Sequence, residues 1–106
     1  MGQNSRVFAI QKPAFGIDIS PALRFGQIHF LLDPDDLLDT DRAVAKLTKA
    51  LADFSDDDYI LCIGDPTAIL AAGIIASQAN GGDVKALRWF KRELEYFVFH
   101  IKTRVA

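Results

Sequence analysis

Hydrophobic residues fall into two kinds of pattern along the chain, short dense runs and spaced repeats. Arg6 to Gln11 and Gln27 to Leu32 are short runs rich in β-branched and aromatic residues, and a proline follows each run two residues later. Because proline cannot continue a hydrogen-bonded ladder, each run predicts a strand that ends there. The segment between them is broken by glycines and a proline, so Phe15 to Ile19 fits a short strand or an extended loop equally well.

Spaced hydrophobic residues predict a first helix from about Asp41 to Phe54. Val44, Leu47, Leu51 and Phe54 recur at helical spacing, while charged side chains occupy the rest of the circumference. Aspartates at its start supply acceptors for unpaired amides and suit the positive end of the helix dipole. This segment is therefore expected to bury one stripe and expose the opposite face.

The middle of the chain predicts a buried strand followed by a second helix. Tyr59 to Ile63 is a nearly continuous apolar run, which is typical of a strand covered on both faces. Asp65 and Pro66 then suit the N-cap and first position of a helix, and Asn80 followed by two glycines ends it.

The C-terminal part predicts a β-hairpin of two strands, Val84 to Phe90 and Tyr96 to Ile101. The order of elements is then β(β)β-α-β-α-β-β. A chain of 106 residues fits one domain over residues 1–106. The predicted fold class is α/β, a small mixed sheet of about five strands with two helices and an antiparallel edge.

The second helix has an unusual composition, because Thr67 to Ala79 contains no charged residue. A helix that rests on a sheet ordinarily keeps a polar face toward water, so this one is expected to be covered on its outer side too. Small residues would allow close approach by another copy of the chain, so we expect a homodimer. The candidate self-association residues are Ile69, Ala72, Gly73, Ala76 and Ala79. The alternative is that the first helix and the N-terminal segment cover this helix within one chain.

Charge is segregated along the chain, although the net charge is only -2. Residues 33–65 hold ten acidic and three basic side chains, whereas residues 81–106 hold six basic and three acidic ones. Such segregation favours docking of a partner protein, either on the acidic surface of residues 33–65 or on the basic hairpin. The candidate partner residues of the hairpin are Arg88, Lys91 and Arg92. The same hairpin bases, with Lys85, Lys102, Arg104 and interleaved aromatic residues, offer an alternative in single-stranded nucleic acid. We favour the protein partner because the overall pI is about 5.5.

Candidate catalytic residues are few. Cys62 is the only cysteine, which excludes an internal disulfide and a thiolate metal cluster, and its place within an apolar run predicts a buried, inert thiol. His29 and His100 fall inside predicted strands without a recognisable nucleophile arrangement, so they are interpreted as structural or surface residues. No catalytic residue and no cofactor are predicted, and binding is favoured over catalysis.

Two further motifs have a structural interpretation. The aspartates from Asp33 to Asp41 lack the glycine and terminal glutamate of a calcium loop, so they predict a solvated capping loop, as do the aspartates at 56, 57 and 58. The Gly64 to Thr67 turn lies where an α/β protein places a phosphate loop, but it lacks the spaced glycines and the lysine. A capped turn is favoured there, with a small-ligand or nucleotide site, reached by His29 or His100, as the alternative.

Three segments of the chain resemble parts of known proteins. Tyr59 to Thr67, Ala86 to Phe90 and Tyr96 to Phe99 together resemble segments of small proteins encoded by tailed bacteriophages. That resemblance implies a viral origin and a setting in the host cytoplasm, and it carries over no functional residue. The apolar runs are too short to span a membrane, and Met1 to Ile10 lacks the features of a secretory signal, so a cytoplasmic protein without membrane contact is expected. The predicted function is a non-enzymatic interaction domain that associates with itself and binds a host or phage macromolecule.

Overall fold

Five strands and two α-helices follow one another in the computed structural model, which describes residues 4–103. The strands are β1 (Arg6–Ala9), β2 (Gln27–Phe30), β3 (Tyr59–Leu61), β4 (Asp83–Phe90) and β5 (Glu95–Lys102), the helices are α1 (Thr40–Ala50) and α2 (Pro66–Ala79), and two short 3-10 helices span Ser20–Phe25 and Pro34–Leu38. This order confirms the predicted α/β fold class. Residues 15–19, which the sequence left open, form a turn and loop instead of a strand.

The five strands form one sheet in the order β2-β1-β3-β4-β5. The first four strands are mutually parallel, and only β5 runs antiparallel, paired with β4 over eight residues. The predicted antiparallel hairpin is therefore confirmed at the edge of the sheet. Strand β3 lies in the middle, where Ile60 and Leu61 are buried on opposite faces, as its continuous apolar run predicts.

Capping residues define the two helices. The Asp39 carboxylate accepts a hydrogen bond from the Arg42 amide at the start of α1, and the Asp65 carboxylate accepts one from the Ala68 amide at the start of α2. Helix α1 ends four residues before the predicted Phe54, yet Phe54 is still buried in the core.

The two faces of the sheet are covered differently. Both α-helices lie on one face, which we call the helix face. There Leu47 of α1 and Leu51, the C-cap of α1, pack with Phe8, Ile10 and Ile60. Within residues 4–103, the opposite face is covered by the first 3-10 helix and the preceding Ile19, and Ala22 of this helix packs with Val7 and Leu61. Helix α2 packs over β3 and β4, and β5 lies beyond it at the edge of the sheet, where no helix of residues 4–103 covers its helix face.

Two aspartates that the sequence assigned to solvated loops are buried. Asp58 accepts hydrogen bonds from Arg6 Nη2 at 2.8 Å and from the Ser55 amide at 2.9 Å. Asp36 accepts from Lys46 Nζ at 2.7 Å and from Arg42 Nε at 2.9 Å. The solvated interpretation is wrong for these two side chains, because Asp58 ties its loop to Arg6, 52 residues away, and Asp36 ties its loop to two basic residues of α1.

Candidate functional site

The inner face of α2 consists of small residues that pack on the chain's own sheet. Ala68, Ala72 and Ala76 are buried in the helix-face core. Ala72 and Ala76 were predicted as self-association residues, and that part of the prediction is corrected, because fully buried side chains cannot contact a second molecule while the fold is intact. Their small size instead allows α2 to approach the strands closely.

The outer face of α2 consists of large apolar residues that remain in solvent. Leu70 is 63% exposed and Ile74 is 52% exposed, while Ile69 is partly buried against the core. The alternative in which the chain covers this helix by itself therefore fails for Leu70 and Ile74. Of the other predicted self-association residues, Gly73 lies between these two side chains and Ala79 is exposed at the end of the helix.

The helix face of β5 continues this apolar region. Side chains alternate along a strand, so Phe97, Phe99 and Ile101 all point to the helix face, and they are 39%, 53% and 41% exposed. We define the α2–β5 surface as the set of five exposed apolar residues Leu70, Ile74, Phe97, Phe99 and Ile101.

A shallow apolar groove runs through the α2–β5 surface between the helix and the sheet. Its volume is about 330 Å³, and its walls include Gly73, Ile74 and Ile101 together with Cys62. Cys62 is exposed, so the prediction of a buried thiol is wrong. Desolvation by the surrounding apolar side chains nevertheless raises the pKa of the Cys62 thiol, which makes it a poor nucleophile at neutral pH.

The three candidate partner residues lie at one end of the hairpin but do not share a face. Arg88 stands opposite Phe97 on the helix face, and its guanidinium lies 5.3 Å from the centre of the Phe90 ring. Phe90 in turn stacks on Phe97 with ring centres 4.4 Å apart. Lys91 and Arg92 are exposed in the connection after β4, and Arg104 lies outside the described residues. Arg88 therefore borders the α2–β5 surface, whereas Lys91 lines a different groove.

That second groove lies on the opposite face of the sheet, beside the ends of β3 and β4. It is open, about 920 Å³ in volume, and is lined by apolar residues together with Asp18, Trp89, Lys91 and Tyr96. Trp89 and Tyr96 meet edge to face at 4.9 Å. A hydrogen bond from the Ser20 amide lowers the pKa of the Asp18 carboxyl, and burial together with the Asp18 charge raises the pKa of Tyr96. Spacing along the sequence could not predict this groove, because its walls come from three separate segments, 17–21, 62–63 and 89–96.

The Gly64 to Thr67 turn is tightly packed against the end of β1. Gly64 has φ +112°, and the Asp65 amide donates to Gln11 Oε1 at 3.1 Å. A Cβ at Gly64 would lie 2.9 Å from Gln11 Cγ, so the Gln11 side chain occupies the space beside the turn. The cavity that Asp65 and Thr67 line is only about 100 Å³, well below the size of ordinary ligand sites.

The two histidines are far from this turn and from each other. His29 lies on β2 and His100 on β5, which are opposite edges of the five-stranded sheet, so roughly 19 Å of sheet separates them. His29 packs on the Phe8 ring, and His100 Nε2 lies 2.5 Å from Asp83 Oδ1 near the start of β4. His29 stands level with Ile60 of β3 and His100 level with Tyr59, several residues before the Gly64 to Thr67 turn, so the structure places neither histidine beside that turn.

Metal clusters and membrane-spanning helices are absent from residues 4–103. Within residues 4–103, no group of three or more His, Cys, Asp or Glu side chains is arranged to hold a metal ion. No helix in the same part of the chain is both long enough and apolar enough to cross a bilayer.

Comparison with known proteins places this chain among phage proteins. No curated protein and no solved structure matches it. One protein family does match, over residues 5–103, which includes every strand and helix described above. The chain belongs to the Phage Pam3 gp32-like protein family.

Proposed function

We propose that this phage protein is a non-enzymatic interaction domain that associates with itself through the α2–β5 surface. The observation that carries the proposal is the continuous apolar area formed by Leu70 and Ile74 of α2 with Phe97, Phe99 and Ile101 of β5. A protein that worked as a monomer would be expected to place polar side chains at these positions, since each is half exposed to water.

Burial of this surface supplies a large part of the free energy that association needs. Complete burial of a large apolar side chain is worth about 1.5–3 kcal/mol, and these five are already about half buried, so each has about 1 kcal/mol left to gain. Two copies would then gain about 10 kcal/mol from the patch. The cost of lost translational and rotational freedom is about 4–15 kcal/mol, so the patch offsets most of it before any hydrogen bond is counted.

A second copy of the chain is the occupant that fits best. The five residues carry no charge, so the surface offers an ionic partner little to recognise, whereas an identical apolar surface complements it through a two-fold axis. The adjacent Arg88, with the stacked Phe90 and Phe97, is the feature that a nucleic acid would use instead. The test must therefore distinguish self-association from the binding of single-stranded nucleic acid.

The test compares the mass in solution of three proteins by size-exclusion chromatography with light scattering. The wild-type chain is expected at twice its 11.7 kDa, and Leu70→Glu is expected as a monomer. Leu38→Glu is the matched control, because Leu38 is 88% exposed but lies outside the α2–β5 surface, and this variant should remain dimeric. A monomeric wild type would overturn the proposal, and salt-sensitive binding of an oligonucleotide by that monomer would favour the nucleic-acid alternative.

A small-ligand site is a second candidate function, favoured by the open groove beside Trp89. Aromatic side chains, one ammonium group and one carboxylate converge there, which is the composition of many ligand sites. Trp89 is the only tryptophan, so its fluorescence reports on this groove alone. Titration with AMP and GMP is expected to quench it if the groove binds nucleotides, and Lys91→Glu should weaken the effect. Unchanged fluorescence with both nucleotides would remove this candidate.

A further inference from the structure

Strand β5 is an edge strand without the devices that ordinarily protect edges. It is eight residues long, contains no proline or glycine, and pairs with β4 without a bulge. Its charged residues, Glu95 and Lys102, stand only at the two ends. Natural proteins usually blunt such an edge with a bulge, a proline or an inward-pointing charge. The opposite edge strand, β2, is only four residues long.

The hydrogen-bonding pattern identifies which backbone groups of β5 face outward. The Thr103 amide donates to the Gly82 carbonyl at 2.7 Å, in continuation of the β4–β5 register. Because the direction of backbone groups alternates along an antiparallel strand, odd-numbered residues of β5 bond to β4. The amide and carbonyl groups of the even-numbered residues point to the free edge, and these residues are Tyr96, Val98, His100 and Lys102.

We propose that β5 pairs with β5 of a second copy in an antiparallel manner, with the two-fold axis at Phe99, so that the two sheets join into one. This proposal deepens the proposed function, on which it rests. In this register Tyr96 faces Lys102 and Val98 faces His100 of the other copy as hydrogen-bonded pairs. The outward-facing backbone amides and carbonyls of all four residues then form hydrogen bonds, two in each facing pair and about eight across the junction.

The side chains select the same register. On the helix face, Phe99 meets Phe99 and Phe97 meets Ile101 across the axis, so the apolar residues of β5 contact only one another. Neighbouring two-fold registers are worse. An axis at Val98 places Glu95 opposite Ile101 and leaves Lys102 beyond the end of the facing strand, with about six bonds instead of eight. If the pairing were shifted by a single residue, odd-numbered residues would stand opposite even-numbered ones. The apolar side chains of one strand would then lie on the opposite face of the sheet from those of the other strand.

Disulfide trapping tests this register directly, in a Cys62→Ser background that removes the native thiol. Facing residues of a non-hydrogen-bonded antiparallel pair have Cα atoms about 4.5 Å apart, within the range that a disulfide spans. Phe99→Cys is therefore expected to form a covalent dimer under mild oxidation. Phe97→Cys alone should not, because its two copies would lie about 14 Å apart along the strands. A mixture of Phe97→Cys with Ile101→Cys should form a mixed disulfide.

The outcomes separate this proposal from the one on which it rests. The wild type could be a dimer while neither Phe99→Cys nor the mixture of Phe97→Cys with Ile101→Cys forms a disulfide. That result would overturn edge pairing but leave self-association through the α2–β5 surface intact. Efficient trapping of Val98→Cys instead would place the axis one residue away and overturn the register. A monomeric wild type would overturn both.

Hydrogen exchange of the wild-type chain provides a second test that needs no substitution. The outward amides of Val98 and His100 are expected to exchange more slowly, by at least about tenfold, when the protein concentration is raised to favour the dimer. The inward amides of Phe97 and Phe99 already bond to β4 and serve as internal controls. Exchange at Val98 and His100 that stays fast at every concentration would contradict edge pairing, even if the cysteine variants failed to fold.

Discussion

Substitution of the buried carboxylate at Asp58 is expected to be among the most damaging single changes in this chain. Asp58 is 1% exposed and accepts five hydrogen bonds, from Arg6 Nε, Nη2 and backbone amide and from the amide and hydroxyl of Ser55. Asp58→Asn keeps the shape of the side chain but turns an amide group toward these donors and leaves the Arg6 charge without its main partner. Loss of one partner from a buried ion pair costs about 3–5 kcal/mol, and the lower end applies here because Arg6 is partly exposed and keeps its contact with Asp53.

The expected loss of stability is large because the ion pair between Asp58 and Arg6 connects two parts of the fold. Asp58 immediately precedes β3 and Arg6 begins β1, so their contact joins the turn after α1 to the start of the central pair of strands. A small domain has about 5–15 kcal/mol of total stability, so a loss of about 3 kcal/mol would remove at least a fifth of it.

Urea unfolding followed by circular dichroism measures this loss. With a slope of about 1–3 kcal/mol per molar urea, the midpoint for Asp58→Asn should fall by at least about 1 M. Asp57→Asn is the matched control, because the neighbouring Asp57 is exposed, and its midpoint should change by less than about 0.5 M. If the two variants had equal stability, the argument that Asp58 holds the fold together would be refuted.

Three further outcomes are expected from the same structure. Hydrogen bonds from Lys46 lower the pKa of Asp36, and those from Arg6 and Ser55 outweigh burial and lower the pKa of Asp58. The stability that both carboxylates contribute is therefore fully present above the unfolded-state pKa of about 3.9 and is lost as the pH falls below it. In urea titrations at several pH values, the free energy of unfolding should fall less steeply with acid in Asp58→Asn than in the wild type. Gly73→Ala is expected to raise stability by up to about 1 kcal/mol, because a Cβ there meets no atom within 4 Å, whereas Gly26→Ala should lower it, because a Cβ there collides with the Ser5 carbonyl. Equal unfolding midpoints for the two glycine variants would contradict this assignment. The Cys62 thiol lines the α2–β5 groove, so labelling by a thiol reagent should be faster in Leu70→Glu than in the wild type, and an unchanged rate would indicate that the groove is not covered in the wild type.

Local patterns predicted most of the fold because each element carries its own signal. The Asp65 and Pro66 start of α2, the continuous apolar run of β3 and the terminal hairpin are all determined by neighbours in sequence. The absence of charge in Thr67 to Ala79 likewise predicted that the outer face of α2 would be apolar.

Long-range contacts could not be predicted in the same way. The burial of Asp58 depends on Arg6, which is 52 residues away, so a pattern of three adjacent aspartates gave no sign of it. The assignment of Ala72 and Ala76 to an association surface failed for a related reason. Small residues allow close approach on either side of a helix, and only the position of the sheet decides which side they face.

Sedimentation equilibrium of the wild-type chain tests the central claim most directly, because it measures mass without labels, substitutions or a surface matrix. As the concentration rises from nanomolar to high micromolar, the average mass should increase from 11.7 kDa to twice that value and then remain constant. A mass that stays at 11.7 kDa throughout would show that the α2–β5 surface is not covered by a second copy of this chain.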